Sequence, residues 1–339
     1  MSVKIAIVGE AWGETEERMK LPFVGAAGQE LSRLLIDAGI DRSECFLTNT
    51  FSFRPAGNQI DRICGPKKEA GAGYKLPPLR QGKYVLPQYL GELERLKKEL
   101  TDVRPNLIIA AGNVPTWALL QRTGISNIRG TVAPCVLVPG LKVIPIYNPS
   151  AILRDWSLRP VTVLDLLKAA KQAEFPELRI PHRRVHVPET VDEVRQIEAM
   201  LASAKELSVD IETVNLQISC IGFAPSPTEA YVIPIIDYTK PGNSYWFSLV
   251  EEVAVWASIR RICQNEAYKT GQNFLYDMQY LWRFYGIWMK NMLHDTMLMH
   301  HAFQPESLKG LGFLGSVYSE EPAWKLNRPR GREILKKDE

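Results

Sequence analysis

Four short apolar runs in the first half of the chain, Val3 to Val8, Cys45 to Thr48, Asn106 to Ala111 and Lys142 to Ile146, alternate with stretches of helical period. The helical stretches are Gly28 to Ala38, Gln88 to Leu100, Val114 to Gln121 and Pro160 to Ala173. Runs this short and this apolar suit strands buried on both faces, and a helix between successive strands returns the chain for parallel pairing. The alternation predicts an α/β fold, here a three-layer αβα domain around a parallel sheet, with its ligand site at the carboxyl ends of the strands. With 339 residues, 45% of them hydrophobic and 23% charged, the chain has material for a second core as well. No apolar run approaches the roughly 18–20 residues of a bilayer span. The opening MSVKIAIVGEAWG sets a short strand where a secretion signal needs a long apolar core. No membrane partner is therefore expected. The five cysteines, Cys45, Cys64, Cys135, Cys220 and Cys263, are odd in number and form no CxxC pair, which predicts a reducing, cytoplasmic setting.

The segment Phe175 to Pro188 (FPELRIPHRRVHVP) contains three prolines and no helical period. It is expected to separate a first domain, 1–176, from a second, 189–339, with 177–188 as linker. In the second domain Thr190 to Lys205 reads as an amphipathic helix, Leu207 to Ile211, Gln217 to Phe223 and Ala230 to Ile236 as strands, and Leu249 to Cys263 as a helix. Residues 1–180 hold 24 Lys+Arg against 18 Asp+Glu, whereas 181–339 hold 17 against 20, so the first half is the better phosphate binder. Between Pro55 and Tyr84 the pattern lapses into a stretch rich in Gly, Pro, Lys and Arg, which is expected to be a long mobile loop. Its Arg62, Lys67, Lys68, Lys75, Arg80 and Lys83 are candidate DNA phosphate contacts.

Distinctive short motifs stand at the predicted strand ends: G-E-A-W-G at Gly9 to Gly13, L-P-F-V-G-A-A-G at Leu21 to Gly28, Asn49 closing the strand CFLTN, and N-P-S at Asn148 to Ser150. In this order they resemble the uracil-DNA glycosylase superfamily, nearest its family-4 branch, over about residues 3–173. The resemblance implies excision of uracil from DNA, which requires a nucleotide rotated out of the stack, read on its edge and stabilised as a leaving anion. By the same resemblance Phe23 would stack on the base, Asn49 would hydrogen-bond the uracil edge, and Glu10 would position water or balance the cationic sugar. Asn148 would face the uracil oxygen where charge develops, and Ser150 would hold a DNA phosphate. Three departures stand out. The cysteines that hold an iron–sulfur cluster in the family have no counterparts, with Pro87-Gln88-Tyr89-Leu90 where one is expected, so no cluster is expected here. Trp12 replaces a proline of the first motif. Asn148 replaces a histidine, and a neutral amide stabilises an anion less than a charge-assisted donor.

In the second half, L-S-V-D-I-E-T places Asp210 and Glu212 two apart on a strand, hence on one face, as a shared metal site requires. Further on, Asn273 and Asp277 stand four apart in a helical stretch, followed by M-L-H-D-T-M-L. These segments resemble the 3′–5′ proofreading exonuclease domain of family-A DNA polymerases, a ribonuclease-H-like mixed-sheet fold, over about residues 184–327. The resemblance implies that Asp210, Glu212 and Asp277 are catalytic metal ligands for Mg²⁺ or Mn²⁺, with Asp295 beside the site. His294, His300 and His301 are read as core or surface histidines rather than ligands. The family's third motif, Y-x-x-x-D, is not found before the chain reaches GREILKKDE, and Pro322 stands four residues after Tyr318. The layout resembles the N-terminal half of phage family-A polymerases, which implies a host-cytoplasm setting. The partners it implies are uracil-containing DNA, single-stranded or primer–template, and a DNA polymerase domain or subunit. The expected function is DNA processing in replication or repair by both hydrolase domains. The alternative is a binding module that holds uracil or a DNA end for a separate polymerase, both sites being weakened.

Overall fold

The computed structural model describes residues 3–71 and 73–319. The chain divides into two compact units, residues 1–179 together with the segment beginning at Gly312, and residues 180–311. Among the described residues no helix is long and apolar enough to cross a membrane.

In chain order the strands of the first unit are β1 (Ile5–Ala11), β2 (Phe46–Phe51), β3 (Cys64–Pro66), β4 (Lys83–Val85), β5 (Leu107–Ala111), β6 (Ala133–Pro134) and β7 (Lys142–Ile146). Its helices begin with α1 (Glu14–Met19), α2 (Ala26–Asp37), α3 (Lys67–Ala70) and α4 (Gly91–Val103). They continue with α5 (Asn113–Leu120), α6 (Ile125–Ile128), α7 (Pro149–Ile152) and α8 (Arg159–Gln172). The main sheet runs β2-β1-β5-β7-β6, parallel except for the two-residue edge strand β6. Successive side chains of a strand point to opposite faces. Ile5 and Ile7 therefore pack with Leu31 and Leu35 of α2 and Leu166 of α8, while Ala6 and Val8 pack with Leu96 of α4 and Trp117 of α5. The result is the three-layer arrangement expected from the alternation. Strand β2 runs past Asn49, expected to close it, as far as Phe51, because its register with β1 continues through Gly9 opposite Asn49 to Ala11 opposite Phe51.

The basic stretch from Pro55 is folded, contrary to the expected mobile loop. Strands β3 and β4 form an antiparallel pair, Tyr74 and Tyr84 meet edge to face with ring centroids 5.6 Å apart, and the Trp117 indole N–H donates to Pro77 O at 2.8 Å. Ile60, Ile63, Leu79 and Val85 are buried in the same core as Leu96. These apolar residues are spaced too irregularly to give a helix or strand period, yet their burial is what orders the segment.

The second unit contains β8 (Arg184–His186), α9 (Val191–Leu201), β9 (Glu206–Val214), β10 (Gln217–Ser226), β11 (Glu229–Pro234), α10 (Leu249–Gln264), β12 (Tyr268–Gly271), α11 (Leu275–Tyr285), β13 (Met292–Asp295) and α12 (Thr296–Phe303). Its sheet order is β13-β12-β9-β10-β11-β8. The antiparallel meander β9–β10–β11 is extended beyond β9 by the parallel strands β12 and β13, which is the ribonuclease-H-like order. Val209, Ile211, Ile221, Phe223 and Ile233 pack against Val194, Ile259 and Leu281. Residues 184–186, expected within an irregular linker, pair in parallel with β11.

The final described helix, α13 (Leu311–Tyr318), packs from Gly312 onward with the first unit, although its position in the sequence suggests the second. Polar groups explain this. The Arg129 guanidinium, 2% exposed, donates from Nε to Asp165 Oδ2 at 2.6 Å and from Nη1 to Ser316 Oγ at 3.0 Å, and also bonds Asp165 Oδ1. Lys168 donates to Gly130 O at 2.9 Å, to Ser319 O at 2.6 Å and to Ser316 O. The ammonium thus meets carbonyls at the carboxyl end of α13, where a helix carries partial negative charge. The positions Pro322 and 331–339, where the third exonuclease motif was sought, lie outside the described residues.

Candidate functional site

Parallel pairing of β1 with β2 brings Glu10 and Asn49 to neighbouring strand ends, above a cavity of about 290 Å³. Phe23, Asn148 and Ser150 line the same cavity, as do Trp12 and Glu16. Space at its floor is tight. A Cβ on Gly9 would stand 2.7 Å from the Phe23 ring and 3.2 Å from Asn49 Oδ1, so the first glycine of the motif is needed for close approach.

Phe23 has a left-handed backbone, φ 55°, which a bulky residue adopts only when its surroundings hold it there. Two side chains do so. Arg42 donates from Nη2 to Phe23 O and from Nη1 to Gly28 O, each at 2.7 Å, and the Glu16 carboxylate accepts the Gly25 N–H at 2.8 Å. Gly28 cannot be larger, since its Cβ would fall 1.8 Å from Phe23 O. Asn49 is 5% exposed, and its Oδ1 has no hydrogen-bond partner. A buried acceptor left this way is costly unless a ligand supplies the donor.

Asn148 caps α7, its Oδ1 accepting the Ser150 N–H at 2.9 Å. The cap fixes which way the amide turns, and it leaves Nδ2 as a donor at the cavity. Trp12 donates its backbone N–H to Phe53 O at 3.2 Å, a bond that the proline of the family motif could not make.

Burial pushes the Glu10 carboxyl above its ordinary value of 4.5, against the charges of Arg80 and Arg154. As pH rises, the unfolded chain therefore ionises at this position before the folded one does, and the folded state loses stability between 4.5 and the raised value. Above that window the loss persists. Glu10→Gln is expected to melt at a higher temperature than the wild type at pH 7.5, with the difference shrinking to nothing below about pH 4. A melting difference that does not change with pH would show that Glu10 is not destabilised by burial.

Of the six basic candidates, all are exposed on the folded insertion, and Arg80 reaches the cleft beside the cavity. Arg62, Lys67, Lys68, Lys75 and Lys83 are not among the described residues lining it.

On the second unit Asp210 is exposed between buried Val209 and Ile211, and half-buried Glu212, two residues on, shares its face of β9, away from the core. Asp277 accepts the Ile211 N–H at 2.8 Å, which ties α11 to this strand. Burial, with the charges of Asp210 and Asp295 nearby, pushes the Asp277 carboxyl up to about 6 against that bond. Asn273 does not share a helical face with Asp277, because it has φ 54° and precedes the helix. Asp295 caps α12, accepting the Met297 N–H at 2.9 Å, and also accepts the Phe274 N–H at 2.8 Å. The donor oxygens suit Mg²⁺ or Mn²⁺. Among the described residues, however, no three His, Cys, Asp or Glu side chains are grouped to hold an ion.

Glu16, Arg42 and Arg154 were missed by sequence reasoning. Glu16 and Arg42 bind backbone atoms of a distant motif, which leaves no side-chain pattern to find. Arg154 follows N-P-S by four residues, and a basic residue that close to a strand-end motif was an available signal.

Residues 1–172 match the profile described as Uracil DNA glycosylase superfamily. The type-4 uracil-DNA glycosylase of Thermotoga maritima is 31% identical over 173 residues, covering 50% of this chain and 77% of that one. A DNA polymerase of Bacillus phage SP01 is 23% identical over 239 residues, which is 67% of this chain but 23% of the polymerase. Escherichia coli RNase D, an exoribonuclease involved in structured RNA processing, overlaps 39% of this chain and 32% of its own, with 12% identity and a TM-score of 0.30. The motif-bearing strand ends, the cavity they enclose and the match over half the chain lead to one assignment: the protein belongs to the uracil-DNA glycosylase superfamily.

Proposed function

We propose that the first unit recognises uracil in DNA and excises it. The observation that carries this is the buried, unpartnered Oδ1 of Asn49 beside the constrained ring of Phe23. Uracil supplies what this pair lacks, an N3–H donor for Oδ1 and a flat ring for Phe23, while the Asn49 amide N–H meets O4. Asn148 Nδ2 donates to O2 as the glycosidic bond breaks and its electron pair passes to the base. Glu10 holds the attacking water, whose oxygen bonds to C1′ and whose proton the carboxylate accepts. Ser150 and the basic face of the insertion hold the strand. The test is binding of single-stranded DNA bearing one uracil or one thymine. Tighter binding of uracil is expected, since a C5 methyl crowds the pocket, and Phe23→Ala should remove on the order of 1–3 kcal/mol. Equal affinity for both oligonucleotides would end the uracil reading.

The second unit supports a further role, a nuclease-type site for a DNA 3′ end that serves proofreading beside a DNA polymerase domain or subunit. The Asp277–Ile211 bond favours it, because it holds a carboxylate of α11 beside the acidic strand. Among the described residues the carboxylates are not gathered for an ion, and the family's third motif is not found in the sequence; residues 1–339 alone are expected to degrade 3′ ends slowly at best in Mn²⁺, with Asp210→Ala and Glu212→Ala together abolishing what remains. Fast Mg²⁺-dependent digestion would contradict this.

A further inference from the structure

A second cleft, of about 610 Å³, opens beside the uracil cavity and shares Glu10, Asn58, Asn148 and Ser150 with it. Its lining includes two arginines from separate parts of the chain, Arg80 from the folded insertion and Arg154 from beyond α7, and the charges of both act on Glu10. Glu10 is the one carboxylate among the described residues lining it. Both arginines are exposed, so neither is needed to fill the core. Arg80 Nε pairs with Asp61 Oδ1 at 3.2 Å, and with both side chains about half exposed the pair is weak. The pairing uses Nε and leaves the two Nη groups as donors.

The cleft adjoins the cavity at Glu10 and Asn148, so in the uracil reading, with the sugar at Glu10, the strand next to the held nucleotide lies along it. The group that then arrives between two arginines is a phosphodiester, which a pair of planar, permanently charged donors suits. We propose that Arg80 and Arg154 form a clamp for one DNA phosphate adjacent to the nucleotide held in the cavity, so that the site takes a base still attached to its strand rather than a free base. The clamp rests on the uracil reading for the position of the sugar.

Its consequence extends to Glu10, whose carboxylate lies within the field of both arginines. A bound phosphate offsets their charge, so that clamp and carboxylate are linked. The insertion thus acts as one jaw of a substrate-holding device.

The clamp is tested on the full chain with a fluorescent single-stranded oligonucleotide carrying one 2′-fluoro-deoxyuridine, which resists cleavage. In a series of probes each phosphate in turn is replaced by a neutral methylphosphonate. For the wild type one linkage next to the uracil should stand out, with affinity falling about tenfold when it is neutral, as expected for loss of a charge-assisted hydrogen bond. In the Arg80→Ala, Arg154→Ala double variant the same replacement should have no effect. The clamp is overturned if no linkage stands out, or if the sensitivity persists in the double variant while its melting temperature matches the wild type. A wild type that shows the linkage effect but no preference for uracil over thymine would remove the uracil reading and leave the clamp standing.

Discussion

Asn148→Asp is expected to slow uracil release by about 10²–10³, the usual cost of removing one donor to a developing oxyanion, while leaving the melting temperature unchanged. The substitution separates two functions of one amide. Aspartate caps a helix as well as asparagine does, so the bond to Ser150 N–H survives. What it lacks is the N–H that faces the cavity, and it adds a negative charge where the leaving base becomes negative. Asn148→Ala removes both functions and should also cost about 1 kcal/mol of stability. Release is measured as alkali-labile abasic sites under single-turnover conditions without added metal. If Asn148→Asp cleaves as the wild type does, the amide is only a cap, and the oxygen of the base is stabilised by another group.

The second large effect concerns stability. Asp165→Asn is expected to destabilise the first unit by about 3–5 kcal/mol, because it leaves the Arg129 charge buried without its counter-ion. Arg129 is 2% exposed and Asp165 1%, so water cannot take over the lost contacts. Urea unfolding of the full chain, followed by tryptophan fluorescence, should show the first unit's transition moving to lower denaturant. The double variant Arg129→Met, Asp165→Leu should lose less than the single one, since no buried charge is left unpaired. If Asp165→Asn unfolds with the wild type, Arg129 has found another anion and the pair does not anchor the first unit.

The fold class was legible because its signals are local. Short apolar runs separated by helical stretches name a parallel sheet, and a strand end followed by G-E-A-W-G or N-P-S marks the side where ligands bind. The same locality explains why Glu10, Phe23, Asn49, Asn148 and Ser150, taken from four separate motifs, lie around one cavity. The features that escaped are the ones made by partners far apart. The insertion is ordered by Ile60, Ile63, Leu79 and Val85 reaching a core built by other segments, and nothing in their spacing announces it. Arg42 contacts Phe23 through a carbonyl, a group every residue has. Asn273 looked helical by its distance from Asp277, but the chain enters the helix through a left-handed residue there. The packing of α13 is the extreme case, with Lys168 and Ser316 separated by 148 residues.

That separation has a consequence for how the protein is made. During synthesis the ribosome delivers Arg129, Asp165 and Lys168 long before the carbonyls and hydroxyl of α13 that complete their bonding. Of the two units, the one that comes earlier in the sequence is completed later. In the interval residues 180–311 can fold on their own core, which shortens the effective loop that must close and lowers the entropy cost of bringing α13 home. Until then the nascent first unit carries two buried-site cations awaiting their final acceptors, a state open to proteolysis or to capture by chaperones.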